Sequence, residues 1–146
     1  MKKIFACIVI LITTISACNH FHTSDNGLLD GFWQLTQADT LQSGVSADVK
    51  DKRIFWTVQF NLLEVRNYVP DGPTNILFRF EHQGDSLIVY NPVADQQAVQ
   101  DSIVTDLRTI EYYGLYNLRE KLLILQLSSS KMILQNERLR MHFRKY

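Results

Sequence analysis

The sequence predicts an all-β domain, and three observations predict it. Apolar residues recur at every second position through much of residues 54–146, the period of a strand with one buried face. Clusters of turn residues, among them His82-Gln83-Gly84-Asp85 and Ser128-Ser129-Ser130, separate short runs of that pattern. The i, i+3, i+4 spacing of an amphipathic helix is scarce. About seven or eight strands in one small domain must pair into a sandwich or a closed barrel, because most have a single apolar face to bury.

The elements follow in order. Ile54, Trp56, Val58, Phe60 and Leu62 alternate with polar partners, and the phase flips at Leu62-Leu63. One extra residue in the strand, a β-bulge, produces such a flip; a tight turn is the alternative. Ile76, Phe78 and Phe80 alternate with Leu77, Arg79 and Glu81, turn at Gly84 and return as Leu87 to Tyr90. Pro70, Gly72 and Pro73 fall between strands, since proline cannot donate to a ladder. Residues 94–101 are β-poor and read as a short helix, whereas 107–118 suits strand or helix. Leu122 to Leu127 and Lys131 to Gln135 form a second hairpin. The last strand carries Leu139, Met141 and Phe143 on one face and Arg138, Arg140, His142 and Arg144 on the other.

Composition narrows the function classes. The chain has 146 residues with 15 basic and 15 acidic side chains, one domain's worth of polypeptide without the basic excess of a nucleic-acid binder. Two cysteines cannot build a multi-disulfide scaffold or a four-cysteine zinc site. At the N-terminus, Met1-Lys2-Lys3 precedes an uninterrupted apolar run from Ile4 to Ile12. That run is too short to span a bilayer and has the plan of an export signal. Ile15-Ser16-Ala17-Cys18 resembles the lipobox of bacterial lipoproteins, which implies acylation of Cys18 and cleavage before it. Cys7 would leave with the signal, and a lone thiol in an oxidising compartment is a liability that a thioether-linked lipid removes. The expected organisation is a signal peptide over 1–17, a tether over 18–27 and a folded domain over 28–146. The resemblance implies a lipid-anchored protein of the cell envelope, held on a membrane through Cys18. Asn19, where enteric lipoproteins retained at the inner membrane have aspartate, points to the outer membrane.

Gly31-Phe32-Trp33 resembles the Gly-x-Trp signature of lipocalins. The resemblance implies an eight-stranded antiparallel up-and-down barrel in which Trp33 closes one end and a basic residue late in the last strand packs on it. Arg140 and Arg144 are the candidates, and Arg144 is preferred because the start of the first strand meets the end of the last. Gly31-Phe32-Trp33-Gln34-Leu35, the hairpin Phe80 to Val89 and the closing Leu139 to Tyr146 together resemble small lipocalin-like lipoproteins of Bacteroides-type bacteria, a domain of uncharacterised function. The likeness spans about residues 28–146.

Few residues suggest chemistry. Ser128-Ser129-Ser130-Lys131 and Ser24-Asp25-Asn26 fit two penicillin-binding motifs, but in reversed order and without the third, so both read as polar turns. His20 and His22 beside Cys18 read as tether residues, because a lipidated sulfur is no thiolate. His82, His142 and the carboxylates Glu64, Glu81, Asp101 and Asp106 read as surface groups. No catalytic residue, cofactor or metal is expected. Trp56, Phe60, Phe78 and Phe80 fall on faces expected to point inward, so they are the candidate contacts for a small apolar or amphipathic ligand, with Arg79 and Arg119 near its mouth. The alternative is a filled barrel that displays the loops 37–52 and 92–106 to a protein or glycan partner.

Overall fold

In a computed structural model that describes residues 24–94 and 102–146, the alternating segments form ten strand pieces. These are β1 (Gly31–Thr40), β2 (Ser46–Asp48), β3 (Ile54–Gln59), β4 (Leu62–Asn67), β5 (Ile76–Gln83), β6 (Ser86–Ala94), β7 (Ser102–Ile103), β8 (Glu120–Leu127), β9 (Lys131–Gln135) and β10 (Leu139–Lys145). Two staves of the barrel are interrupted. β2 pairs with the second half of β1 and β3 with its first half, separated by a 3-10 turn at Lys50–Lys52 and a left-handed Arg53. β7 and β8 share β6 in the same way. Joined so, the pieces make eight antiparallel staves, and pairing of β10 with β1 closes the cylinder. Closure leaves no long unpaired edge, which is how an all-β chain of this size avoids edge-to-edge association.

The period-two pattern sets what lies inside. Ile54, Trp56 and Val58 of β3, Leu63 and Val65 of β4, and Ile76 and Phe78 of β5 are all at most 2% exposed. The hairpin expected around Gly84 is present, with Gln83 opposite Ser86 and Gly84 at φ 61°. The phase flip at Leu62-Leu63 is the tight turn rather than the bulge. Gln59 faces Leu62 across a two-residue turn, with Phe60 in the left-handed region at φ 55°. True bulges fall elsewhere, between Leu35 and Gln37, Leu77 and Arg79, and Ile124 and Gln126. The described helix, α1 (Arg108–Glu111), lies inside the ambiguous segment. Ala94 ends β6, and the remainder of the short helix expected over 94–101 lies outside the described residues.

The outer wall carries its own aromatic cluster. Phe32 and Phe55 stack at 4.6 Å with Tyr68 and Tyr146 edge-on to them. This is why Phe55, which points away from the barrel axis, is still only 6% exposed.

Candidate functional site

The interior of the barrel is the candidate site, and both its ends are closed. At the proximal end, where the chain enters at Ser24, a 3-10 turn at Gly27–Leu29 crosses beneath the staves. Leu29 and Trp33 are fully buried there, and the Trp33 indole N–H donates to the Leu29 carbonyl at 2.9 Å. The cation that packs on Trp33 is Lys145, with Nζ 4.8 Å from the ring centroid, and Arg144 does not occupy that place. Register explains the correction. Trp33 is opposite Lys145, so the parity that sends Met141 and Phe143 inward also brings Lys145 to the tryptophan's face. Arg144 points outward to the Tyr146 ring, 5.0 Å away, and to the Gln34 amide oxygen. Gly31 sits at φ +136°, and a Cβ there would collide with the Lys145 side chain. The glycine of the signature therefore leaves room for the cation on its tryptophan.

At the distal end the segment between β7 and β8 folds over the barrel as a plug. Ile110, Tyr113 and Leu115 are fully buried in the same core as the strand residues. The Tyr113 hydroxyl lies 3.1 Å from the Pro73 carbonyl and 3.0 Å from that of Thr74, and accepts from the Asn67 amide. Burial pushes its pKa up, so it stays a protonated donor. Asn136, in the β9–β10 turn, donates to the Gly114 carbonyl at 2.9 Å. Gly114 is at φ +86°, with Met141 Sδ where a Cβ would stand. Glu120, 5% exposed, accepts from the backbone N–H groups of Tyr116 and Asn117 and ties the plug to β8. The sequence of 107–118 suits strand or helix equally, since a four-residue helix has no periodicity to read.

Between the two closures, three of the four expected ligand contacts line the barrel. Trp56 and Phe78 are fully buried and Phe80 is 7% exposed. Phe60 is not among them. It occupies the β3–β4 turn, 46% exposed, because the strand ends at Gln59 before the next inward position. Its backbone is strapped from the proximal side. The Phe60 N–H donates to Ser24 Oγ at 2.6 Å, and the Asn26 amide donates to the Phe60 carbonyl. Trp56 stands directly opposite Trp33 and 5.1 Å from the Phe143 ring. Its indole N–H is the one fully buried side-chain polar atom among the described residues without a hydrogen-bond partner, a condition that costs about 1–3 kcal/mol.

The remaining candidates do not converge. Arg79 reaches Asn61 at the proximal turn, and Arg119 lies over Tyr90 on the outer wall, so neither marks the distal mouth. Ser128 Oγ is 3.1 Å from the Lys131 carbonyl and accepts the Lys131 N–H, the pattern of a polar turn. His82 is exposed beside the Gly84 carbonyl. His142 is half-buried on the outer face, with Nε2 2.7 Å from Asp39 Oδ2, a contact that the sequence spacing did not reveal. The described residues contain no group of three or more potential metal ligands. No described helix is long and apolar enough to cross a membrane. The segment 1–17, Cys18, Asn19, His20, His22 and Asp101 lie outside the described residues.

A closed eight-stranded antiparallel barrel, with a buried Gly-x-Trp tryptophan under a terminal-strand cation, defines the lipocalin class of fold. The family model described as a lipocalin-like domain matches residues 12–146, and the chain belongs to that family. A lipocalin-like protein from Bacteroides uniformis is similar in structure, with a TM-score of 0.63 at 23% identity, covering 82% of this chain and 100% of its own. An uncharacterized protein from Bacteroides eggerthii gives 0.61 at 18% identity, over 80% and 98%. No curated protein matches the chain. At family level the fold is that of a ligand-binding barrel.

Proposed function

We propose that this protein is a lipid-anchored, non-enzymatic binding protein of the cell envelope, held on the outer membrane through acylated Cys18. Its barrel takes up one small, mainly apolar molecule that presents a hydrogen-bond acceptor to Trp56. The unpartnered Trp56 indole N–H inside an otherwise apolar wall carries this reading. A carbonyl, ether or carboxylate oxygen on the ligand would recover the cost of burying that donor, while Phe78 and Phe80 supply apolar contact. Admission requires the plug, residues 104–119, to lift from the distal end.

The test is native mass spectrometry of the full chain in detergent after exposure to a lipid and metabolite extract. A discrete added mass is expected on the wild type and on Phe60→Ser, and its loss on Trp56→Phe, which keeps an aromatic ring and removes the donor. Azido-palmitate labelling of expressing cells tests the anchor, and Cys18→Ala is expected to abolish the label.

A second reading, a filled barrel that displays its distal loops, is favoured by the plug itself and by two exposed apolar side chains. Val45 is 60% and Ile103 78% exposed, one on each of the segments expected to meet a partner. A bare mass from folded protein across the extract would favour this version.

A further inference from the structure

The geometry points to a second site on the outside of the barrel, a groove for an acidic saccharide bearing carboxylate or sulfate groups. A cavity of about 640 Å³ runs along the outer face of β1, β10, β9 and β8. Strand parity places it outside. Gln37, His142, Arg144, Lys131 and Gln126 of its lining have outward parity, and the backbone positions of the buried Met132 and Phe143 between them also border it.

Three basic side chains line the groove, Lys50, Lys131 and Arg144, and no carboxylate does. Lys50 is ion-paired with Asp48. Lys131 and Arg144 are in no ion pair among the described residues, yet they stand directly opposite each other on β9 and β10. Like charges at facing positions destabilise a sheet unless an anion lies between them. Arg144 is also held in place. Its guanidinium donates to Gln34 Oε1 at 3.3 Å, and Gln34, only 7% exposed, is anchored in turn to the Lys50 carbonyl. A planar fork fixed in advance suits a carboxylate or sulfate, with little ordering left to do on binding. Asp39, beside the groove, is already engaged by Gln37 and His142, and Asp48 by Lys50.

The body of the ligand follows from the rest of the lining. Gln126 and Ser130 offer amide and hydroxyl groups to a polyhydroxylated molecule beside Ile133, while the Thr36 hydroxyl and the Gln37 amide N–H are committed to the His142 carbonyl and to Asp39. The amide of Gln126 and the hydroxyl of Ser130 suit the hydroxyls of a uronate or sulfated sugar, whose acid group meets the cations. The site is separate from the barrel interior and holds whether or not the interior takes a ligand.

The test is calorimetric titration of the full chain in detergent with a heparin-derived hexasaccharide, with maltohexaose as the uncharged comparison. Binding of the charged hexasaccharide only is expected, weakening as salt screens it. Lys131→Gln and Arg144→Gln should each lower affinity about tenfold or more, while Lys121→Gln, on the outer wall but away from the groove, should leave it unchanged. Lys131 lies at an exposed strand end, so its variant remains informative even if Arg144→Gln disturbs folding. Unchanged affinity in Lys131→Gln would overturn the proposal. So would binding confined to vesicles of phosphatidylcholine and phosphatidylglycerol, which would reassign the cations to a lipid surface.

Discussion

Lys145 covers the face of Trp33 at the proximal end of the barrel, and Gly31, which has no side chain, leaves room for the end of that lysine. The three residues form one device that joins the first strand to the last: the register pairs Trp33 with Lys145, and Lys145 Nζ continues to the Leu28 carbonyl at 3.1 Å. Gly31→Ala is therefore expected to destabilise the protein by about 1–3 kcal/mol, from positive φ and steric conflict together. The two causes separate in a double-mutant cycle. With Lys145→Ala as background the collision is gone, so the added cost of Gly31→Ala should fall to the backbone part alone. Urea denaturation of the four proteins measures this, and strictly additive values would show that Lys145 does not need the space Gly31 leaves.

How much of this was legible in the sequence depends on how local the cause is. Strand period is a property of neighbouring residues, so the hairpin at Gly84 and the inward set Trp56, Phe78 and Phe80 were readable. Phe60 is harder to place, because alternation runs on through the two-residue turn to Leu62 and the phase flip that follows suits a bulge as well as a turn. The left-handed backbone at Phe60 decides for the turn. The partner of Trp33 is a matter of parity: Met141 and Phe143 put position 145 inside, whereas charge and proximity alone point to Arg144. The plug, the Asp39–His142 contact and the Lys131–Arg144 pair depend on which strands meet across the closure. No local pattern carries that information.

The plug should be held by a few directional contacts. Tyr113→Phe keeps the ring in the core but removes the hydroxyl that serves Pro73, Thr74 and Asn67. Loss of about 1–2 kcal/mol is expected. Amide hydrogen exchange should rise first in residues 104–119 while the β1–β10 closure stays protected. Equal loss of protection in both regions would mean that plug and barrel open as one unit.

Asp39 should make the protein acid-sensitive. Hydrogen bonds from Gln37, then Ser46, with a further contribution from His142, hold its carboxyl at about 2, below the usual 3.8. The native state thus favours the ionised form, and the stability this contributes is present above pH 3.8 and lost as pH falls towards 2. Asp39 is partly solvated, so screening keeps the expected contribution on the order of 1 kcal/mol. Asp39→Asn should flatten the fall in stability across that interval. A variant whose acid denaturation curve superimposes on the wild type's would place the acid sensitivity in other groups.

Glu120 should act with the opposite sign. Burial raises its pKa above the usual 4.5, against two backbone N–H groups that favour the carboxylate. A raised native pKa means that the folded protein binds the proton more tightly than the unfolded chain. The resulting stabilisation is full below about pH 4.5 and declines as pH rises through the native value. Glu120→Gln retains an oxygen for Tyr116 and Asn117 while removing the buried charge, so it should abolish that decline and preserve the plug. Glu120→Ala leaves both N–H groups without the acceptor and should cost about 1–3 kcal/mol at every pH. Thermal unfolding from pH 4 to 8 separates the two effects. Glutamine matching alanine would show that the side chain matters for its packing, whereas glutamine matching or exceeding the wild type at pH 8 would show that the hydrogen bonds to the plug, and not the charge, are what the fold requires of position 120.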